Sequence, residues 1–216
     1  ECFLAIAKLQ PDCFKQHGFE MHSHLEFPQN WGLGSSSTLI NNLAQWAHVD
    51  AFALLENTFG GSGYDVACAQ NAHPIVYQRQ NGTPHIKIVA FDPPFKDELF
   101  FVHRNQKQNS RAAIAQYNAL KTTQNLDFSE LNALTDALLV ATTLEEFEQL
   151  MSKHETMVGN LIQHLPLKTT HFADYPGAIK SLGAWGGDFF LVTRTYTQYF
   201  KDKGYTTIIP YTEMKA

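Results

Sequence analysis

Along the chain, hydrophobic positions change period several times, and each change marks an element. Residues 1–9 carry Phe3, Ile6 and Leu9 at helical spacing, which predicts a short amphipathic helix. Residues 18–27, GFEMHSHLEF, put Phe19, Met21, Ser23, Leu25 and Phe27 on one face, the alternation of a strand. Leu39, Ile40, Leu43, Trp46 and Ala47 return to helical spacing, and Asp50 reads as the cap of a helix over 51–58. Three strands are predicted next, at 74–80, 85–91 and 98–104, the first two joined by Asn81-Gly82, a hairpin dipeptide. Pro93-Pro94 marks a boundary between two halves, 1–94 and 95–216.

The second half opens with three predicted helices. One runs from after Asn109 to about Lys121, one follows Ser129, and one begins at a capping box, Thr143 with Glu146. The last carries a stripe of Leu144, Phe147, Met151, Val158, Leu161 and Leu165. Glu145, Glu148, Gln149, Lys153 and Glu155 are assigned to its solvent side. The end of the chain reads as a strand near Ile179–Leu182, a glycine turn, a strand at 189–193, a helix at 195–202 and a strand at 206–210. Strands that follow one another directly, mixed with helices, point to an α+β fold rather than regular βαβ winding.

Composition narrows the function. The 216 residues are 44% hydrophobic, with 16 basic against 21 acidic side chains and a formal charge of −5. No basic stripe suggests nucleic acid, and no apolar run suggests a membrane span. The three cysteines, Cys2, Cys13 and Cys68, form no CxxC pair, which fits a reducing, cytoplasmic setting. His22 and His24 share a strand face but lack a third ligand at suitable spacing, so they read as polar strand residues. Cys68 reads as a packed helix thiol and Phe100 and Phe101 as core.

Three glycine clusters carry the candidate chemistry. The first is WGLGSSSTLI, 31–40: glycines that can take positive φ, then hydroxyl residues opening a helix. Unpaired N–H groups and the helix dipole make such a start attractive to anions without a Walker lysine. Taken alone, the loop reads first as an ordinary helix cap. The second, GGSGYDVACA, puts Asp65 just after a flexible turn, as a helix cap or as a carboxylate able to take a proton from a hydroxyl. The third, SLGAWGGDFFLV at 181–192, is a glycine turn between strands.

In this order the clusters resemble the motifs of the GHMP kinases, the family of galactokinase, homoserine kinase, mevalonate kinase and phosphomevalonate kinase. PQNWGLGSSST is similar to Pro-x-x-x-Gly-Leu-Gly-Ser-Ser-Ala, with Ser37 where alanine is usual. GSGYDVA resembles the Gly-Ser-Gly-x-Asp-x-Ala segment of the mevalonate kinase branch and the signature of GYDIA-type members. LGAWGGD resembles the third motif, from which Trp185 and Asp188 depart, and NQKQNSRAAIAQY resembles a strand-to-helix segment of mevalonate kinases.

The resemblance implies a two-lobed kinase. Its N-terminal lobe would be like the ribosomal S5 second domain, here truncated, since nothing before Pro28 matches the first motif and Glu1 enters directly into a helix. Its C-terminal lobe would be ferredoxin-like. The cofactors implied are ATP and Mg²⁺. Gly32, Leu33, Gly34, Ser35, Ser36 and Ser37 would hold the phosphates, Ser36 and Glu56 the metal, and Asp65 would be the catalytic base. Arg111, Gly183 and Gly186 would meet the substrate, a small molecule of the mevalonate type bearing an alcohol or a phosphate. The alternative is a catalytically silent nucleotide- or metabolite-binding protein on the same scaffold.

Overall fold

A computed structural model of the chain describes residues 1–15, 18–105, 127–183 and 188–214. These divide into two compact units: unit one is 1–29 with 33–90, and unit two is 30–32 with 91–216. Both sheets are small and antiparallel throughout, so the fold is a mixed, α+β arrangement. Among the described residues no helix is long and apolar enough to cross a membrane.

Unit one is built on helices α1 (Cys2–Leu9), α2 (Ser35–Ala47), α3 (Ala51–Glu56) and α4 (Tyr64–Ala69), with a hairpin of β1 (Ile75–Gln80) and β2 (Thr83–Ile88). The apolar stripe of α2 supplies Ile40, Leu43, Ala44 and Ala47 to a core shared with Ile6, Leu54 and Val66. Asp50 caps α3 as its sequence position suggests, its carboxylate accepting the Ala53 N–H at 2.7 Å. Asn81 and Gly82 both take positive φ, 49° and 85°, as a two-residue hairpin turn requires.

Residues 18–27 form no strand. Their alternation has no neighbouring strand to pair with, and most of the segment is exposed. Phe19 is held by aromatic contact instead, edge-on to Trp46 with ring centroids 4.9 Å apart. His22 and His24 are thus exposed coil residues rather than neighbours on a strand.

Unit two carries a four-stranded sheet in the order β4-β5-β3-β6, formed by β3 (Leu99–His103), β4 (Ile179–Ser181), β5 (Phe189–Thr193) and β6 (Ile208–Pro210). Between β3 and β4 run α5 (Ser129–Val140), α6 (Leu144–Ile162) and α7 (Leu167–His171). Helix α8 (Thr197–Asp202) joins β5 to β6, and α9 (Tyr211–Met214) ends the described chain. Val102, Phe172, Tyr175, Ile179, Phe190, Val192 and Phe200 form one core, and Phe95, Leu99, Phe147, Met151 and Ala178 another. Phe100 and Phe101 are only half-buried, Phe101 stacking on Tyr211. The helix expected over 109–121 lies outside the described residues.

Helix α6 corrects two assignments. Half of its capping box forms, the Thr143 hydroxyl accepting the Glu146 N–H at 3.3 Å, while the Glu146 carboxylate accepts the N–H of Thr142 rather than that of the N-cap Thr143. Glu155, assigned to the solvent side, is buried: it sits one turn beyond Met151, accepts the Ser181 N–H at 3.1 Å and pairs with Lys180 at 3.5 Å. Leu165 is exposed because the helix ends at Ile162, with Gln163 in the left-handed region.

Candidate functional site

In unit one the first two glycine clusters meet. Helix α2 begins at Gly34, whose φ of +74° lies in the left-handed region, and no side chain caps this helix start. Thr38 donates to the Gly34 carbonyl at 2.9 Å, the first bond of the helix, which leaves the Ser35, Ser36 and Ser37 amides without a helical acceptor. Ser36 is exposed while Ser35 and Ser37 are half-buried. These amides and the dipole of a 13-residue helix make a local positive pole.

Asp65 lies beside that pole. A Cβ built on Gly34 would stand 3.2 Å from Asp65 Cβ, 3.4 Å from its Cγ and 3.8 Å from its Oδ2. Position 34 thus needs glycine twice, for its backbone angle and because a side chain would crowd the carboxylate. Asp65 is the second residue of α4, which starts at Gly63 with φ +82°. Desolvation by the surrounding protein raises its carboxyl above the usual aspartate range. Its surface is nonetheless exposed, so solvent screens the effect and leaves the group accessible.

The neighbours of Asp65 on α4 are Tyr64 and Cys68, one turn apart. Desolvation raises both, and the nearby Cys68 thiol raises the phenol further. Cys68 is exposed rather than packed, because α4 is short and presents that turn outward.

Glu56 ends α3, and with Asp50, Phe52, Ser62, Gly63, Tyr77 and Arg79 it lines a cavity of about 200 Å³. Neither Ser36 nor Asp65 lines that cavity. Among the described residues no group of three His, Cys, Asp or Glu side chains is gathered for a metal.

Within unit two, Gly32 has φ +65°, and a Cβ there would fall 1.6 Å from Asp188 Oδ2. Trp31 lies edge-on to Phe189, with ring centroids 5.5 Å apart. The close approach of Asp188 to Gly32 was invisible as a role in the sequence, although Asp188 stood out as a departure from a glycine-rich motif. Gly183 takes φ +64° in the turn after β4, and it is exposed. Arg111 and Gly186 lie outside the described residues.

No protein-family model matches the sequence, and no curated protein matches it significantly. The structure is similar to that of L. major mevalonate kinase, solved in complex with R-mevalonate. The identity is 17% and the TM-score 0.52, over 78% of this chain and 56% of that one. Streptococcus pneumoniae phosphomevalonate kinase aligns at 17% identity and a TM-score of 0.39, over 82% of this chain and 58% of that one. The chain spans a little over half the length of either kinase. At 17% identity, the likeness to mevalonate kinase is one of fold.

Proposed function

We propose that the chain belongs to an ATP- and Mg²⁺-dependent small-molecule kinase of the GHMP type. It transfers the γ-phosphoryl group to an alcohol, or to an existing phosphate, of a mevalonate-type acid. The observation that carries this reading is the meeting of Gly34 and Asp65: an uncapped helix start, suited to phosphate, with the Asp65 carboxylate carbon 3.4 Å from where a Cβ would stand. Two further facts support it. Mevalonate kinase has a similar fold. The succession of β3, helices, β4, β5, α8 and β6 in the order β4-β5-β3-β6 supports reading unit two as the ferredoxin-like C-terminal lobe expected of the family.

The chain's own groups divide the work. The amides of Ser35, Ser36 and Ser37 bind phosphate oxygens, and the loop glycines let the backbone approach. The exposed Ser36 hydroxyl would hold the metal, while half-buried Ser37 stands where the family keeps an inert methyl. Mg²⁺, when bound, would neutralise the charge of the phosphates. Asp65 Oδ accepts the proton of the acceptor hydroxyl, and its raised pKa makes it a stronger base than an ordinary aspartate.

Asp65→Asn tests the role directly. Turnover should fall by about 10²–10⁴ with the fold intact. In the unsubstituted protein, kcat should decline as pH falls through the pKa of Asp65, above the ordinary aspartate value, and that acid limb should vanish in the variant. Unchanged activity in Asp65→Asn would remove Asp65 from the mechanism. Tight MgATP binding with no turnover on any alcohol would favour the silent scaffold instead.

A further inference from the structure

The turn before Asp65 is made of residues that resist being held. Gly60, Gly61 and Gly63 all have positive φ, at 66°, 108° and 82°. Such a segment has high conformational entropy and does not position a neighbouring carboxylate unaided. Unit one supplies the restraint from β1. Tyr77 and Arg79 are two residues apart, so they share one face of that strand. The Tyr77 hydroxyl donates to the Ser62 carbonyl at 2.5 Å. Arg79 donates through Nη1 to the Gly61 carbonyl at 2.9 Å and through Nε to the Gly82 carbonyl at 3.0 Å. One guanidinium thus ties the glycine turn to the hairpin turn of its own sheet.

Packing completes the clamp. A Cβ on Gly63 would meet the Phe52 ring at 2.9 Å and the Tyr77 hydroxyl at 3.1 Å, so the backbone there is sandwiched between two side chains. The Tyr64 ring lies edge-on to the Tyr77 ring at 5.8 Å, and the Ser62 hydroxyl accepts the Tyr64 N–H at 3.2 Å. The next residue is Asp65, against Gly34. We propose that Tyr77 and Arg79 are positioning residues: they fix the Gly61–Gly63 turn so that Asp65 is held over Gly34 at the start of α2. The chemical use of that placement rests on the kinase reading above. The placement itself does not, and it can be measured without nucleotide.

The test compares Tyr77→Phe, which keeps the ring, with Arg79→Met, which keeps the stem, and Arg79→Lys, which keeps the charge but not the two-pronged donor. Amide hydrogen exchange of Gly60, Tyr64 and Ala67, whose N–H groups are bonded to Leu55, Ser62 and Gly63 across the turn, is read beside a thermal melt and steady-state kinetics with MgATP. Tyr77→Phe and Arg79→Met should speed exchange of these amides about tenfold, each having lost a bond to a turn carbonyl. They should lower kcat by about 10- to 100-fold with KM for MgATP unchanged, because misplacement of a reacting group acts on the chemical step. Arg79→Lys should recover part of both. Wild-type exchange in folded variants would overturn the proposal, as would a rise in KM with kcat unaltered. An unsubstituted protein that neither binds MgATP nor releases ADP would instead overturn the kinase reading, and the exchange measurement would still decide the clamp.

Discussion

Gly34 and Asp65 are 31 positions apart in the chain, yet a Cβ at 34 would stand only 3.2 Å from the aspartate's own Cβ. Gly34→Val should therefore act twice. It places a β-branched residue at φ +74°, which costs about 1–2 kcal/mol or more, and it pushes on Asp65. Urea unfolding should show that loss, and MgATP affinity should fall more than stability alone explains. A Gly34→Val protein with unaltered MgATP affinity would detach the loop from phosphate binding. Both residues stood out in the sequence, because glycines before a hydroxyl run and an aspartate after GGSG are local patterns. Their contact was not legible, since spacing along the chain does not report which loops meet. Tyr77 and Arg79 were missed altogether. Their work is done through backbone carbonyls of a distant turn, and the only signal was two donor side chains on one strand face.

Among the elements, α6 was the most legible and also the most instructive. Its cap and the positions of Leu144, Phe147 and Met151 followed from local rules. Glu148 and Glu155 did not, because their partners lie in the later strand region, at Arg194 and Lys180. Glu148 accepts from Arg194 Nε at 2.8 Å and Nη2 at 2.7 Å, and from the Thr193 hydroxyl at 2.5 Å. Burial alone would push its carboxyl up, but the hydrogen bonds from Arg194 and Thr193 outweigh that and leave it below the usual glutamate range. The sign of the linkage follows. A carboxyl depressed in the folded state contributes stability above its unfolded pKa of about 4.3, and that contribution is lost as pH falls through the folded value. Glu148→Gln should lower the melting temperature at neutral pH and flatten its decline in acid. Equal acid sensitivity in the two proteins would show that the pair carries none of the pH dependence. The strand expected at 18–27 failed for the complementary reason: alternation specifies a face, but a strand also needs a partner edge, and Phe19 found Trp46 instead.

For the whole molecule, the α+β class was readable because antiparallel neighbours follow one another directly in sequence. The strand order β4-β5-β3-β6 was not, since it depends on pairings between residues far apart in the chain, as between Leu99 and Thr193 or Phe100 and Pro210. Similarity to mevalonate kinase at 17% identity is a likeness of fold. The central claim is that the glycine loops serve phosphoryl transfer. It is tested most directly by incubating the full-length protein with γ-labelled MgATP and a panel of mevalonate-type alcohols and phosphates, beside its Asp65→Asn variant. The account predicts label transferred to one acceptor class by the unsubstituted protein, and transfer about 10²–10⁴ slower in the variant. Failure of the unsubstituted protein to bind MgATP, or equal transfer by both proteins, would contradict it.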